Sequence, residues 1–125
     1  MWRGLFASLC ALLLLAATAQ ASDLGRGSFA GKSGHTASGH VSVVETDKGT
    51  VVRLEEDFRF DGAPDPKLGF GKGGYAKESK FGPLERNSGQ QEYLLPSRID
   101  PEKYDEVWIW CEKYNVPLGV AEIQR

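Results

Sequence analysis

His40-Val41-Ser42-Val43-Val44-Glu45, then Asp47-Lys48-Gly49, then the run from Thr50 to Phe60 together decide the fold. The first segment alternates apolar and polar residues, which sends successive side chains to opposite faces of a strand. Asp47-Lys48-Gly49 has turn chemistry, and Gly49 suits a backbone position of positive φ. From Thr50 the alternation resumes and sets Val52, Leu54, Phe58 and Phe60 on one face, interrupted by Glu56. The stretch is therefore predicted to be a β-hairpin with one buried face.

Working outward, the same signals recur. Ser28 to Gly39 holds two short polar segments rich in Gly, Ser and His, with Phe29 as the first core anchor. Residues 61–75 combine Asp61-Gly62-Ala63-Pro64-Asp65-Pro66 with Gly69-Phe70-Gly71-Lys72-Gly73-Gly74-Tyr75. That density of Gly and Pro argues against a helix or a central strand, so a long, mobile loop is predicted. Phe81 to Leu84 and Gln91 to Pro96 read as short strands separated by the Asn87-Ser88-Gly89 turn. Asp100-Pro101-Glu102 is an N-cap with proline at the first helical position, predicting about one helical turn through Tyr104. Val107-Trp108-Ile109-Trp110-Cys111 is apolar on both faces and reads as a central strand. Val116 to Ile123 closes the chain as a last strand, with Pro117 near its start or in a bulge. The predicted class is all-β: a small antiparallel sandwich or barrel of about seven short strands, with at most one helical turn near 101–104.

The N-terminus sets the expected compartment. Met1 to Gly4 carries one positive charge, Leu5 to Ala17 is an uncharged apolar run, and Ala19-Gln20-Ala21 has the small-x-small pattern of signal peptidase sites. Residues 1–21 are read as a cleavable signal peptide. A 13-residue helix, at ~1.5 Å per residue, reaches about 20 Å, short of a ~30 Å hydrocarbon core. Cys10 sits inside that run after the bulky Leu9, which argues against lipoprotein acylation. Residues 22–26 then form a flexible leader and 27–125 a single domain, exported to the periplasm or secreted. Of the 15 Lys and Arg in the chain, Arg3 leaves with the signal; 14 remain against 17 Asp and Glu, a net charge near −3. The signs are interspersed without a basic stripe, so nucleic acid and anionic membrane are not expected partners.

Only one cysteine, Cys111, stays in the mature chain. In an oxidising compartment it is buried and inert, paired with another molecule, ligated, or redox-active. Along its strand it shares a face with Val107 and Ile109. Lys113 falls toward that face by alternation. His35 and His40 are the only histidines and are weak candidates for a metal site with Cys111. Asp57, Asp61 and Asp65 recur every four residues, without the ligand spacing of a calcium loop. They fit turn chemistry, with Asp61 before Gly62 and Asp65 before Pro66 organising backbone amides. Residues 69–74 match Gly-x-Gly-x-x-Gly, but no helix-forming segment follows to receive a pyrophosphate. A Gly-x-Ser-x-Gly elbow, a His-Glu-x-x-His pair and the Cys-x-x-Cys-His motif of covalent haem are all absent from the sequence.

At Asp57-Phe58-Arg59-Phe60-Asp61-Gly62-Ala63-Pro64-Asp65-Pro66, and again at Val107 to Cys111, the chain resembles the DM-thirteen domain family. Gly27-Ser28-Phe29, Gly34 to Val41, Tyr93-Leu94-Leu95-Pro96 and Val116 to Ala121 agree in order, so the resemblance covers residues 27–123. It implies an electron-transfer module of secreted and cell-surface proteins, found in animals beside cytochrome-like DOMON domains. It also implies a role for Cys111 as redox thiol or haem ligand, with the Asp61, Gly62, Pro64, Asp65 turn as a second motif without an assigned role. Read as a domain standing alone, the chain needs a separate protein as its electron partner. The alternative reading is a non-catalytic binding or adhesion domain acting through the 61–75 loop, with Phe70 and Tyr75 facing solvent.

Overall fold

A computed structural model describes residues 22–125, and the segment read as a signal peptide, 1–21, lies outside the described residues. The chain is all-β. Ten strands follow in order: β1 (Ser22–Gly31), β2 (Ala37–Ser38), β3 (His40–Thr46), β4 (Gly49–Leu54), β5 (Arg59–Phe60), β6 (Pro66–Gly71), β7 (Gly82–Pro83), β8 (Gln91–Leu94), β9 (Glu106–Cys111) and β10 (Val116–Glu122). Single 3-10 turns occupy Lys77–Ser79 and Pro101–Lys103. Among the described residues no helix is long and apolar enough to cross a membrane.

Eight strands form one antiparallel sheet in the order β7-β6-β9-β10-β1-β3-β4-β8, and β2 pairs with β5 beside it. The sheet curls until its two ends nearly meet. Side chains close the seam. The Tyr93 hydroxyl on β8 donates to Gln91 Oε1 (2.6 Å) and accepts from the Glu85 amide (2.9 Å), just beyond β7. Gln91, itself buried, bonds both the amide and the carbonyl of Arg86. Phe81 meets the edge of Tyr93 at 5.7 Å. Burial holds the Tyr93 phenol above its ordinary range.

The 40–60 hairpin forms as its alternation predicts, with Val41 opposite Leu54, Val43 opposite Val52, and Thr46 opposite Gly49. Gly49 takes φ +124°, which a side chain would strain. Val52, Leu54, Phe58 and Phe60 are all buried. Burying a side chain of this kind contributes about 1.5–3 kcal/mol, so this one face anchors much of the core. Its second arm is two strands, because Glu55–Asp57 makes a turn and redirects Arg59–Phe60 onto β2.

Two expectations are corrected. Residues 22–26, predicted as a flexible leader, are the first half of β1: Ser22 pairs with Glu45 and Arg26 with Ser42, across a bulge between Asp23 and Gly25. Glycines and polar residues disguise this strand, since backbone pairing with β3 needs no apolar side chain. Pro66–Gly71, predicted as mobile loop, is an interior strand between β7 and β9. Leu68 and Phe70 point into the core and are fully buried, so Phe70 is not the solvent-facing aromatic that a binding loop needs.

The glycines that argued against a strand are what let this one be covered. A Cβ on Gly71 would lie 2.0 Å from the Gly74 carbonyl oxygen and 2.5 Å from Trp108 Nε1; on Gly69 it would lie 2.7 Å from the Tyr75 ring. The chain therefore returns over the outer face of β6 and β9 in contact with bare backbone. Ser79 pins the return: its buried hydroxyl accepts from the Phe70 amide (2.7 Å) and faces the Phe70 and Ala76 carbonyls. This cover explains why β9 is apolar on both faces. Trp108 is buried beneath the return, and Trp110 stacks on Tyr75 at 4.7 Å between ring centres.

The capped turn forms as read, with Asp100 Oδ1 accepting from the Glu102 amide. The last strand carries its irregularity between Pro117 and Gly119.

Candidate functional site

Cys111 is the last residue of β9 and its side chain is 1% exposed. It belongs to the central apolar cluster with Val107 and Ile109, on the face that alternation assigned. Lys113 is exposed on the turn beyond, with its ammonium 5.3 Å from the Tyr114 ring centre. The thiol thus has an apolar setting.

The backbone around this sulfur adjoins an irregularity of the sheet. Its neighbours in the ladder are Pro66 on β6 and Val116 on β10. Cys111 and Pro66 form a non-hydrogen-bonded pair, followed by the Glu112 amide donating to the Asp65 carbonyl at 3.1 Å. On the other side Pro117 follows Val116, and the bulge that follows Pro117 locally disrupts the ladder. Side chains also tie this end, with Lys80 Nζ 2.6 Å from Glu112 Oε2 and Trp110 Nε1 donating to Asn115 Oδ1 at 3.2 Å. Cys111 is buried at the end of the central strand that adjoins the bulge.

The histidines lie elsewhere, each held by one of the aspartates. His40 Nδ1 meets Asp57 Oδ2 at 2.5 Å while Asp57 Oδ1 accepts from the His40 amide. His35 Nδ1 meets Asp61 Oδ1 at 2.8 Å while Asp61 Oδ2 accepts from the Thr36 amide. The first pair ties the turn before β5 to β3, and the second ties the residue after β5 to the segment that leads into β2. The amide bond comes first and the imidazole second in holding both carboxyls below their ordinary range. Among the described residues no group of three or more His, Cys, Asp or Glu is arranged to hold a metal ion, so the proposed joining of His35 and His40 with Cys111 does not occur.

The Asp61–Asp65 motif divides. Asp61 organises an amide, as turn chemistry predicted, but that amide belongs to Thr36 across the fold rather than to its own turn. Gly62 takes φ +98°, Pro64 is exposed, and Asp65 pairs with Lys67 at 3.2 Å. Reasoning from sequence also missed Ser79, an ordinary-looking polar residue in a lysine-rich stretch. Its only signal is position: a hydroxyl eight to ten residues after a glycine-flanked phenylalanine.

An all-β antiparallel domain with one buried thiol at the end of its central strand is the class defined by these features. The family model described as Electron transfer DM13 matches residues 28–123, and the chain belongs to that family. Comparison with curated proteins and comparison with solved structures each give no match.

Proposed function

We propose that the domain is an exported electron-transfer module whose redox group is Cys111, sheltered when folded and presented by local opening at the end of β9. The carrying observation is the position of that thiol: fully buried, yet at the end of the central strand that adjoins the Pro117–Gly119 bulge. Family membership supplies the electron-transfer context. Once exposed, the sulfur ionises and attacks a disulfide of a partner protein. One S–S bond breaks, a mixed disulfide forms, and the partner's second sulfur leaves as thiolate. With no second cysteine in 22–125, a thiol from outside resolves the mixed disulfide and regenerates Cys111.

Alkylation of Cys111 in folded 22–125, followed against urea, tests this. Local opening costing about 3–4 kcal/mol slows labelling some 10²–10³-fold relative to the unfolded chain. Its urea dependence falls well below the ~1 kcal/mol/M expected of global unfolding. Labelling that tracks global unfolding at every urea concentration refutes gated access and leaves Cys111 as core packing.

A second reading is a binding module that docks its partner through the outer face of β9. It rests on the stacked Tyr75 and Trp110, both only half-buried, beside Tyr114, which is 60% exposed. Loss of partner binding in Tyr114→Ala with unchanged binding in Cys111→Ala selects this reading.

A further inference from the structure

Away from Cys111, an open groove of about 600 Å³ runs across the outer faces of β10, β1 and β3. Its floor is made of small residues, Ser28 and Ala30 among them, and Arg26, Lys32 and His40 line it. Arg26, Ser28, Ala30 and Lys32 alternate outward along β1 and its extension, and Ser28 is directly opposite His40 in the ladder. Two cationic side chains, Arg26 and Lys32, thus share one strip of a chain whose overall charge is negative.

The ion pairs of the described residues are His35–Asp61, His40–Asp57, Arg53–Glu92, Lys67–Asp65 and Lys80–Glu112. Arg26 and Lys32 take part in none of them. Glu122 lines the groove as its one carboxylate, and it too is in no ion pair. His40 is held to Asp57 through Nδ1, which fixes the ring at the edge of the groove.

We propose that this groove docks an extended, carboxylate-rich segment of a partner protein. Arg26 and Lys32 supply charge, and the Ser28 hydroxyl supplies a donor. The small-residue floor lets a backbone approach the sheet. Opposite-sign surfaces of this kind guide encounter and set register, and their effect weakens as salt rises. Taking the partner to be the electron partner rests on the proposed function, whereas docking of an acidic segment can be measured without any redox step.

The probe is a fluorescein-labelled hexaglutamate peptide, titrated with 22–125 at low and at physiological salt. Saturable binding at low salt that weakens with salt is expected. Arg26→Glu with Lys32→Glu weakens it at least tenfold, whereas Glu122→Gln tightens it. Lys72→Glu with Lys103→Glu, exposed residues away from the groove, leaves it unchanged. Thermal melts of each variant establish that the fold is intact. Equal weakening by both double reversals means that the peptide reads overall charge, and overturns the proposal; so does unchanged binding in the Arg26/Lys32 variant. Either failure leaves the Cys111 labelling result standing, and failure of that labelling leaves the groove standing.

Discussion

Replacing Gly71 by alanine puts one methyl group where the chain folds back on β6. The new Cβ would meet the Gly74 carbonyl oxygen at 2.0 Å, the Gly74 carbonyl carbon at 2.7 Å and Trp108 Nε1 at 2.5 Å. Two of these are backbone atoms, and all three belong to groups tied together. Glu106 Oε1 accepts from both the Gly74 amide (3.0 Å) and Trp108 Nε1 (3.2 Å). The methyl group cannot enter unless the 72–74 turn lifts away and that shared carboxylate contact is disturbed. Overpacking costs about 1–3 kcal/mol, and losing one hydrogen bond to a charged group a further ~1.5–3 kcal/mol. Restricting the unfolded chain returns roughly 0.4–1 kcal/mol. The net expectation is a loss of about 2–5 kcal/mol, or at least ~8 °C in Tm for a domain near 100 residues. The assay is urea unfolding followed by tryptophan fluorescence, which reports Trp108 and Trp110 together. Gly82→Ala is the matched control. Its Cβ would meet only the Tyr93 ring at 3.5 Å, an ordinary contact, so it is neutral or slightly stabilising. A Gly71→Ala protein within ~0.5 kcal/mol of the parent, the scatter of an unremarkable surface change, would refute the close return over β6.

Two further predictions concern groups that the sequence leaves inconspicuous. Ser79→Ala strands the buried Phe70 amide without its acceptor and costs about 1–3 kcal/mol by the same unfolding assay; an unchanged midpoint contradicts the pinning role. Asp57 and Asp61 have carboxyls held below their ordinary value, so their contribution to stability is present above the unfolded pKa of ~3.9 and is lost as pH falls through the lower folded values. Asp57→Asn with Asp61→Asn, which keep an amide acceptor but do not titrate, should flatten the stability profile below about pH 4. An acid limb of unchanged slope rules these carboxylates out as its source.

The sequence by itself determined whatever depends on local chemistry. Alternation at 40–60 and the double-sided apolar run at 107–111 are properties of a strand and its two faces, so the hairpin, the central strand and the burial face of Cys111 were legible. The cap at Asp100 and the irregularity at Pro117 were legible for the same reason: each acts within a few residues of itself. The family motifs, spread over nearly the whole domain, were equally open to reading. The tertiary structure decided whatever depends on a partner distant in the chain. Glycine and proline in 61–75 have the composition of a loop, and only the neighbouring β9, with the return of Tyr75 and Ser79 over bare backbone, makes β6 an interior strand. The aspartates at 57 and 61 look alike as turn residues, and only folding sets one against His40, 17 residues away, and the other against His35, 26 residues away. Arg26 and Lys32 lie along β1 and its extension and Glu122 lies on β10, with no shared motif, yet pairing of β1 with β10 lines one groove with them. A side chain's pattern along a strand is written locally, whereas what covers that strand, and which charges face each other across it, is a property of the closed sheet.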